Sequence, residues 1–349
     1  MRVRAFAKIN QSLRVLGTRA DGYHELRTIF QSIALHDTLT IRAIRGPFQL
    51  TCDDPACPAD ETNLIARAAA RMWTAAGRRG APRDVAIDLR KRIPMQAGLG
   101  GGSSDAAAAL RALAKRWRVG DARVRAAAAA LGADVPYFLE GGTVLGLERG
   151  DLLFPLLDPP TAWVVVVLPS FGVSTKDAFG WFDADGARAF PASARVQIGR
   201  ASAGLAEGPR ARRRQASDPS GIGVAADPRV RRADTRVGLN DRHRVLSAQA
   251  ELVNDLEGPV VARHPEIGRI ISALRRAGAS QAAMSGSGSA VFGLFSSREV
   301  AAHTAKRLAS RSQRTLMTKT LNRQTYRRLA ATSAHRINLP FALCGQGHS

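Results

Sequence analysis

A glycine- and serine-rich segment at residues 94–104 carries the strongest sign of chemistry in this sequence. It reads Pro94-Met95-Gln96-Ala97-Gly98-Leu99-Gly100-Gly101-Gly102-Ser103-Ser104. A predicted strand precedes it and a predicted helix follows it. Glycines let the backbone approach an anion closely because they lack a Cβ atom, and the N-terminus of a helix favours negative charge. We therefore predict a phosphate-binding loop whose serines cap the following helix.

The glycine spacing distinguishes this segment from two common nucleotide-binding motifs. A P-loop has Gly-Lys-Ser or Gly-Lys-Thr after its first glycines, and residues 94–104 contain no lysine. The dinucleotide-binding fingerprint needs another glycine spacing and a distal acidic residue. A flexible Gly-Ser linker is the ordinary alternative, and the flanking strand, the helix and the embedded Ser-Ser-Asp argue against it.

Isolated residues elsewhere fit the same chemistry, although each has an ordinary explanation when taken alone. Lys8 is a solvated charge unless it meets an acid or an anion in a cleft. Asp134 follows a predicted helix and lies beside apolar residues, so it is either a cap or a buried base. Burial raises the pKa of such a carboxyl group, and a nearby cation lowers it. Tyr23 and His24 lie in what is, by itself, an ordinary surface turn.

Other candidate motifs are weaker. Ser285-Gly286-Ser287-Gly288 is a second segment whose backbone could bind an anion, but Gly-Ser turns are common. Asn254-Asp255-Leu256-Glu257 and His264 are, alone, ordinary helix and loop residues. Cys52 and Cys57 do not have the spacing or the second pair of a zinc site, so we predict no metal site.

Apolar spacing predicts alternating helices and strands around these motifs. We expect helices over residues 64–76, 106–116, 124–131, 246–261 and 267–277, and strands over 26–35, 39–41, 85–89, 164–167 and 291–295. Asp158-Pro159-Pro160 predicts a boundary near residue 160, between domains at 1–160 and 161–330. Residues 183–245 have little apolar periodicity and predict a basic, flexible insert. Residues 331–349 are expected to form a tail.

The composition is that of a globular, water-soluble protein. The 349 residues are 45% hydrophobic and 23% charged, and no apolar run reaches the roughly 20 residues of a membrane span. The N-terminus lacks the apolar core of a signal peptide, and three cysteines are too few for a disulfide scaffold. We therefore expect a cytoplasmic protein without a membrane partner.

The net charge of +22 is the one abnormal quantity. Residues 185–250 hold 13 arginines against 6 acidic residues, and residues 298–349 hold 10 basic residues against 1 acidic residue. A nucleic-acid-binding surface usually interleaves aromatic residues for stacking, and these stretches have few. We interpret the charge as solvated arginines and do not expect a nucleic-acid partner.

Taken in order, the motifs resemble the GHMP kinase superfamily, and within it the kinases that act on a cytidine-diphosphate-linked methylerythritol. The resemblance rests on Ala7-Lys8-Ile9-Asn10, Arg19-Ala20-Asp21-Gly22-Tyr23-His24-Glu25-Leu26, the segment from Ile93 to Ala106, Gly132-Ala133-Asp134-Val135-Pro136, Asn254-Asp255-Leu256-Glu257 and Met284-Ser285-Gly286-Ser287-Gly288. It covers roughly residues 3–180 and 246–330. Residues 183–245 and the tail have no counterpart among these motifs.

The resemblance implies a fold and a reaction. The fold is α+β with two domains, of which the N-terminal one resembles domain 2 of ribosomal protein S5 and the C-terminal one is ferredoxin-like. The reaction is transfer of the γ-phosphoryl group of ATP, accompanied by Mg²⁺, to the 2-hydroxyl of the cytidine-diphosphate substrate in non-mevalonate isoprenoid biosynthesis. A monomer or a homodimer would serve this chemistry.

The resemblance also assigns roles to residues. Asp134 would be the general base, and Lys8 would keep Asp134 ionised and stabilise charge on the transferred group. Residues 94–104 would bind the ATP phosphates. Tyr23 and His24 would contact the cytosine, Phe179 would lie on its other side, and Asn10 would lie near the reacting hydroxyl. No protein residue is implied as a dedicated magnesium ligand.

Three alternatives stay open on the sequence alone. Another small-molecule GHMP kinase would keep the glycine loop and Asp134 but should lack the Asp21–Glu25 segment. A basic RNA-associated protein on the same scaffold would bind with a steep salt dependence and without ATP turnover. An inactive homologue is disfavoured because Lys8 and Asp134 are both present.

Overall fold

The structure, a computed structural model, describes residues 1–189 and 253–331. The strands are β1 (Arg2–Thr18), β2 (His24–Pro47), β3 (Gln49–Cys52), β4 (Arg83–Arg90), β5 (Thr143–Glu148), β6 (Leu152–Pro155), β7 (Trp163–Pro169), β8 (Gln281–Met284), β9 (Val291–Phe295) and β10 (Gln313–Lys319). The helices are α1 (Leu64–Ala75), α2 (Gly101–Trp117), α3 (Asp121–Leu131), α4 (Tyr137–Glu140), α5 (Thr175–Ala189), α6 (Glu257–Arg263), α7 (Pro265–Arg276), α8 (Arg298–Leu308) and α9 (Arg323–Ala330).

The N-terminal sheet is organised around β2, which is 24 residues long and pairs antiparallel with β1, β4 and β5. The sheet has the order β3-β4-β2-β5-β6, with β1 alongside β2. The strands predicted at 26–35 and 39–41 are therefore one continuous strand. The β1–β2 register shifts between Phe6 and Lys8 and again between Asn10 and Ser12. Such bulges bend a strand and redirect its side chains.

Helices α1, α2 and α3 cover one face of this sheet. The residues of α2 from Ala106 to Ala109 are at most 1% exposed, and their small side chains let this helix lie close to the sheet and to both neighbouring helices. α1 was predicted over 64–76 and is confirmed to within one residue. Its first turn is capped by Asn63, whose side-chain oxygen accepts a hydrogen bond from the Ile65 amide at 2.9 Å.

The C-terminal sheet is antiparallel, with the strand order β10-β7-β9-β8. Successive side chains of a strand point to opposite faces, so Val165 and Val167 pack among α6 and α7, whereas Val164 and Val166 pack against β1 and β2 of the other sheet. Because both faces are covered, the predicted strand at 164–167 is an uninterrupted apolar run. The strand order and the helices on one face confirm the predicted ferredoxin-like arrangement.

Helix α9 returns the end of the described chain to the N-terminal half. Buried Tyr326 donates a hydrogen bond to the Phe138 carbonyl at 2.7 Å. Gly141 makes this contact possible, because a Cβ atom there would overlap the Tyr326 ring. The described residues belong to one compact unit. The predicted domain boundary near residue 160 falls between β6 and β7 and stays a prediction.

The predicted insert at 183–245 is wrong at its start. Residues 183–189 continue α5, and Asp185 accepts two hydrogen bonds from Arg263 on α6 at 2.9 and 3.0 Å. Gly180 and Gly186 obscure this helix in the sequence because glycine is a poor helix former. The rest of the insert, the start of the helix predicted at 246–261 and the tail beyond residue 331 lie outside the described residues. Within residues 1–189 and 253–331, no helix has the length and apolar character that crossing a membrane requires.

Asp158 joins the two halves, and its removal tests that connection. Its Oδ1 atom accepts the Thr143 amide at 2.8 Å, and its Oδ2 atom accepts the Arg323 amide at 2.8 Å. Asp158→Ala leaves both amides without this partner and should lower the free energy of unfolding by about 1–3 kcal/mol. Asp158→Asn keeps one acceptor oxygen and should lose less. Urea unfolding measures the free energy of unfolding of both variants. An equal loss in the two would contradict the role of the Asp158 oxygens as acceptors for the two amides.

Candidate active site

A cleft of about 1120 Å³ is lined by residues of the N-terminal sheet and by loop and helix residues of the C-terminal half. Most of the predicted site residues line it, namely Lys8, Asn10, Tyr23, His24, Asp134, Phe179 and residues 94–103. Ser104 does not. Its hydroxyl is buried and donates to the Phe6 carbonyl at 2.7 Å, so it anchors α2 to β1 and is not available to a ligand in the cleft.

The start of α2 differs from the predicted serine cap. The N-cap is Gly100, and no side chain caps the helix. Ser103 and Ser104 lie inside the first turn, where Ser104 N–H already donates to the Gly100 carbonyl at 2.9 Å. The amides of Gly101, Gly102 and Ser103 belong to the part of a helix that has no intrahelical acceptor. These three N–H groups, together with the helix dipole, are of the kind that can bind an anion.

Gly100 brings three elements of the site together. Its φ is +70°, a conformation in which glycine is favoured. A Cβ atom at this position would lie 2.6 Å from the ring of Phe138 and 3.2 Å from Cγ of Lys8. The loop therefore lies directly against Lys8. The Lys8 amide also donates to the Leu99 carbonyl at 3.0 Å, which fixes the loop to β1.

A second glycine loop at Ser285–Gly288 packs against the first. Gly98 has φ of +72°, and a Cβ atom there would overlap the Ser285 carbonyl oxygen. The Ser285 hydroxyl donates to the Gly98 carbonyl at 2.9 Å. Asn254 holds this second loop by donating from Nδ2 to the Met284 and Gly286 carbonyls at 2.9 and 2.8 Å. The Asn254 segment is thus part of the site's support, which spacing alone did not indicate.

Lys8 and Asp134 face each other across the cleft. Lys8 Nζ lies 3.8 Å from Asp134 Oδ2, and the two side chains are 5% and 35% exposed. Lys8 Nζ also donates to Asn10 Oδ1 at 2.5 Å, and Asn10 Nδ2 donates to Thr28 Oγ1 at 2.7 Å. Lys8 and Asn10 lie between the first two register shifts of β1, and such irregularities redirect the side chains of a strand. The arrangement pairs a cation with a solvent-accessible carboxylate.

Burial controls the charge of Lys8. Desolvation lowers the pKa of its ammonium group below the ordinary value, and the Asp134 carboxylate partly offsets this effect. The carboxylate therefore helps to keep Lys8 protonated.

The turn at Arg19–Glu25 presents the aromatic end of the cleft. Arg19 pairs with Glu25 at 2.7 Å and with Glu148 at 3.6 Å. Asp21 Oδ1 accepts the Tyr23 amide at 3.1 Å. These contacts hold Tyr23 at the rim, where its ring is exposed and lies 5.3 Å from the Arg149 guanidinium.

His24 occupies the inner side of the same turn. Its ring stacks on Phe179 with the centroids 4.6 Å apart, and its Nε2 atom lies 2.9 Å from Asp183 Oδ1. Phe179 therefore faces His24 and not Tyr23. Asp183 and Arg149 are further lining residues that sequence reasoning missed, since the first lies in the predicted insert and the second in no recognised motif.

A buried charge cluster lies beneath the first glycine loop. Lys91 Nζ lies 2.5 Å from Asp37 Oδ2 and 2.8 Å from Asp105 Oδ2, and all three residues are at most 7% exposed. Burial raises the pKa of Asp105 well above its usual range, although Lys91 opposes this effect. Burial acts to lower the pKa of Lys91, but the two carboxylates more than offset it and raise that pKa. The Lys91 ammonium group is therefore the charged centre of the cluster, paired with both carboxyl groups. Sequence reasoning missed this cluster because its members are far apart in the chain.

The described residues contain no group of three or more His, Cys, Asp or Glu side chains placed to hold a metal ion. The sulfur atoms of Cys52 and Cys57 are free thiols, and burial together with the neighbouring Cys52 raises the pKa of Cys57 to about 12. An inert thiol is the expected state of Cys57.

Comparison with known sequences identifies close relatives. The GHMP kinases N terminal domain matches residues 63–142, and the GHMP kinases C terminal domain matches residues 239–313. The 4-diphosphocytidyl-2-C-methyl-D-erythritol kinase of Moorella thermoacetica is 39% identical over 91% of this chain and 98% of its own length. The enzyme of the same name from Heliobacterium modesticaldum is 37% identical over 93% and 96%.

Solved structures show the same relationship. A crystal structure of 4-(cytidine 5'-diphospho)-2C-methyl-D-erythritol kinase has a TM-score of 0.65 and 31% identity, and covers 92% of this chain and 99% of that one. Homoserine kinase from Cytophaga hutchinsonii has a TM-score of 0.58 at 18% identity, covering 93% of this chain and 96% of that one. The second likeness concerns the fold alone.

The contact between the two glycine loops can be tested by substitution. Gly98→Ala forces a Cβ atom into the Ser285 carbonyl and places alanine at φ +72°. The backbone strain alone costs about 1–3 kcal/mol, and the collision should add to it. Gly80→Ala is a matched control, because Gly80 has φ +73° and a Cβ atom there would meet nothing within 4 Å. Urea unfolding of the two variants should show the larger loss for Gly98→Ala, and equal losses would refute the loop contact.

Proposed function

Because the chain belongs to the 4-diphosphocytidyl-2-C-methyl-D-erythritol kinases of the GHMP kinase family, we propose that its cleft phosphorylates the 2-hydroxyl of 4-diphosphocytidyl-2-C-methyl-D-erythritol. The chain is an ATP-dependent small-molecule kinase of isoprenoid precursor biosynthesis. The residue roles that follow are proposals supported by the geometry.

One observation carries the mechanism. The Lys8 and Asp134 side chains are 3.8 Å apart. They lie beside the N-terminus of α2, which no side chain caps, because Gly100 at the start of that helix packs against Lys8. A base, a cation and an anion-binding surface are therefore in contact with the same cleft. Phosphoryl transfer needs mainly alignment and neutralisation of charge, and these groups supply both.

The reaction follows from the positions of these groups. The substrate 2-hydroxyl oxygen attacks the γ-phosphorus of ATP, and the bond between that phosphorus and the β–γ bridging oxygen breaks, which releases ADP. Asp134 takes the hydroxyl proton as general base. Lys8 stabilises the negative charge on the attacking oxygen and the transferred group. Asn10, bonded to Lys8 Nζ at 2.5 Å, orients the ammonium group.

The glycine loops bind the triphosphate. The amides of Gly101, Gly102 and Ser103 receive phosphate oxygens at the positive end of α2. The residues from Pro94 to Gly100 form the wall of this site, and Ser104 supports it from below through the Phe6 carbonyl.

The aromatic end of the cleft binds the cytidine. Tyr23 offers an exposed ring for stacking on the base, and His24, whose Nε2 atom pairs with Asp183, offers Nδ1 for a hydrogen bond. Phe179 stacks on His24, and we propose that it supports this imidazole or, after a shift of His24, faces the base itself.

Mg²⁺ is proposed to enter with ATP. Phosphate oxygens would supply most of its ligands. The cleft also offers an oxygen donor that suits this ion, the Ser103 hydroxyl. When bound, the ion neutralises phosphate charge. We further propose a cytoplasmic location and a monomeric or homodimeric state.

Replacing the base tests the mechanism directly. Asp134→Asn keeps the shape of the side chain but cannot accept the proton, so kcat should fall by about 10²–10⁴-fold. The KM for ATP should change little, because Asp134 is not part of the phosphate-binding loop. A coupled assay of ADP release measures both quantities. A variant with wild-type kcat would show that Asp134 is not the base.

The same assay tests the substrate. Turnover should occur with 4-diphosphocytidyl-2-C-methyl-D-erythritol and not with homoserine or mevalonate at equal concentrations. Turnover with homoserine or mevalonate alone would favour another GHMP kinase. RNA binding that falls steeply with salt, without ADP release, would favour the RNA-associated alternative.

The buried ammonium predicts an alkaline limit to activity. Desolvation lowers the pKa of Lys8, and the charged form is required, so kcat/KM should fall as the pH rises through this lowered value. In Lys8→Arg the guanidinium stays charged throughout, so the fall should disappear although the rate is lower. Profiles of kcat/KM against pH, measured for the wild type and for Lys8→Arg, test this prediction. An identical alkaline fall in Lys8→Arg would assign it to another group.

A further inference from the structure

Asp37 makes an unusual set of contacts for a residue outside the cleft. It lies on β2 and is fully buried. Its Oδ1 atom accepts the backbone amides of Arg92 and Ile93 at 2.5 and 2.8 Å, and its Oδ2 atom accepts Lys91 Nζ at 2.5 Å. One carboxylate therefore binds three consecutive residues, 91–93, which lead directly into the glycine loop at Pro94.

Lys91 extends this anchor to the other end of the loop. Its ammonium group passes beneath Gly101, where a Cβ atom would lie 3.0 Å from Nζ. It then donates to Asp105 Oδ2 at 2.8 Å, one turn into α2. The loop from Pro94 to Gly100 thus has its entry and its exit tied to the same buried ion pair.

We propose that Asp37, acting through Lys91, is a positioning residue that clamps both ends of the ATP phosphate loop and so sets the affinity of the enzyme for ATP. This inference rests on the proposed function, because it assigns ATP to that loop. It adds a residue on a distant strand that neither lines the cleft nor touches either substrate.

The charges of the cluster favour positioning over simple stabilisation of the fold. Removing an ion pair from water costs free energy, and a buried pair is often no better for stability than apolar residues of similar size. The cluster lies beneath both ends of the glycine loop. The carboxylate and the ammonium group accept and donate in fixed directions, which apolar packing cannot do.

Asp37→Asn is the informative variant. It keeps the size of the side chain and one acceptor oxygen for the amides, but it removes the charge that holds Lys91. The KM for ATP should rise about tenfold, equal to about 1.4 kcal/mol, while the KM for the cytidine substrate should change less than about twofold. Hydrogen exchange of peptides covering residues 94–104 should become faster, and exchange in α1 should not.

Leu39→Ala is the matched control. Leu39 lies on the same strand two residues away, is fully buried and belongs to the apolar core. Its truncation destabilises the fold by cavity formation and removes no hydrogen bond or ion pair of the Asp37, Lys91 and Asp105 cluster. The KM for ATP should stay within about twofold of wild type at temperatures where the variant is folded.

The outcomes separate this inference from the proposed function. A rise in the KM for ATP that is equal in Asp37→Asn and Leu39→Ala, or an equal rise in the KM for both substrates, would overturn the clamp. Hydrogen exchange of residues 94–104 that is unchanged in Asp37→Asn would also overturn the clamp. Lack of turnover by the wild-type enzyme would instead overturn the proposed function, and the exchange measurement would still decide whether Asp37 holds the loop.

Discussion

The contact between the backbones of Gly98 and Ser285 is the constraint on which the rest of the site depends. There is no space for a side chain between the two loops, and each loop is carried by a different sheet. This contact closes the cleft at the point where Lys8, Asn10 and Asp134 meet it. The packing of Val164 and Val166 against β1 and β2 holds the sheets at the spacing that the contact requires.

Lysine and arginine are distributed differently between the cleft and the surface of this very basic chain. Of 51 basic residues only 6 are lysines, and two of these, Lys8 and Lys91, are 4% and 7% exposed and lie at the cleft. A compact ammonium group fits beside Gly286 or beneath Gly101, whereas a planar guanidinium group requires more space. Lysine, the smaller cation, therefore occupies these two positions, whereas arginines are numerous on the described surface.

The local patterns of the sequence were sufficient for much of the fold. The helix predicted over 64–76 and the strands predicted over 85–89 and 291–295 depend on neighbours in the chain, and each is confirmed. The residues gathered in the cleft were predicted because their motifs are characteristic of a family. The structure brings them together, and their roles remain to be measured.

The relationships that were missed involve residues far apart in the sequence. Asp37 and Asp105 meet Lys91 only after β2, β4 and α2 have assembled, and the support of the second loop by Asn254 requires the C-terminal sheet. The serine cap was predicted wrongly because a glycine in the left-handed conformation can begin a helix without a side-chain cap. The spacing of residues along the chain does not predict these tertiary contacts.

The parallel bridge between Leu13 and Asn254 has a consequence for how the protein is made. The Leu13 amide donates to the Val253 carbonyl at 2.9 Å, and the Asp255 amide donates to the Leu13 carbonyl at 2.9 Å. The strand that carries Lys8 leaves the ribosome before its partner, which follows some 240 residues later. At about 5–20 residues per second, the nascent N-terminal half waits on the order of ten seconds or longer before its cleft can close.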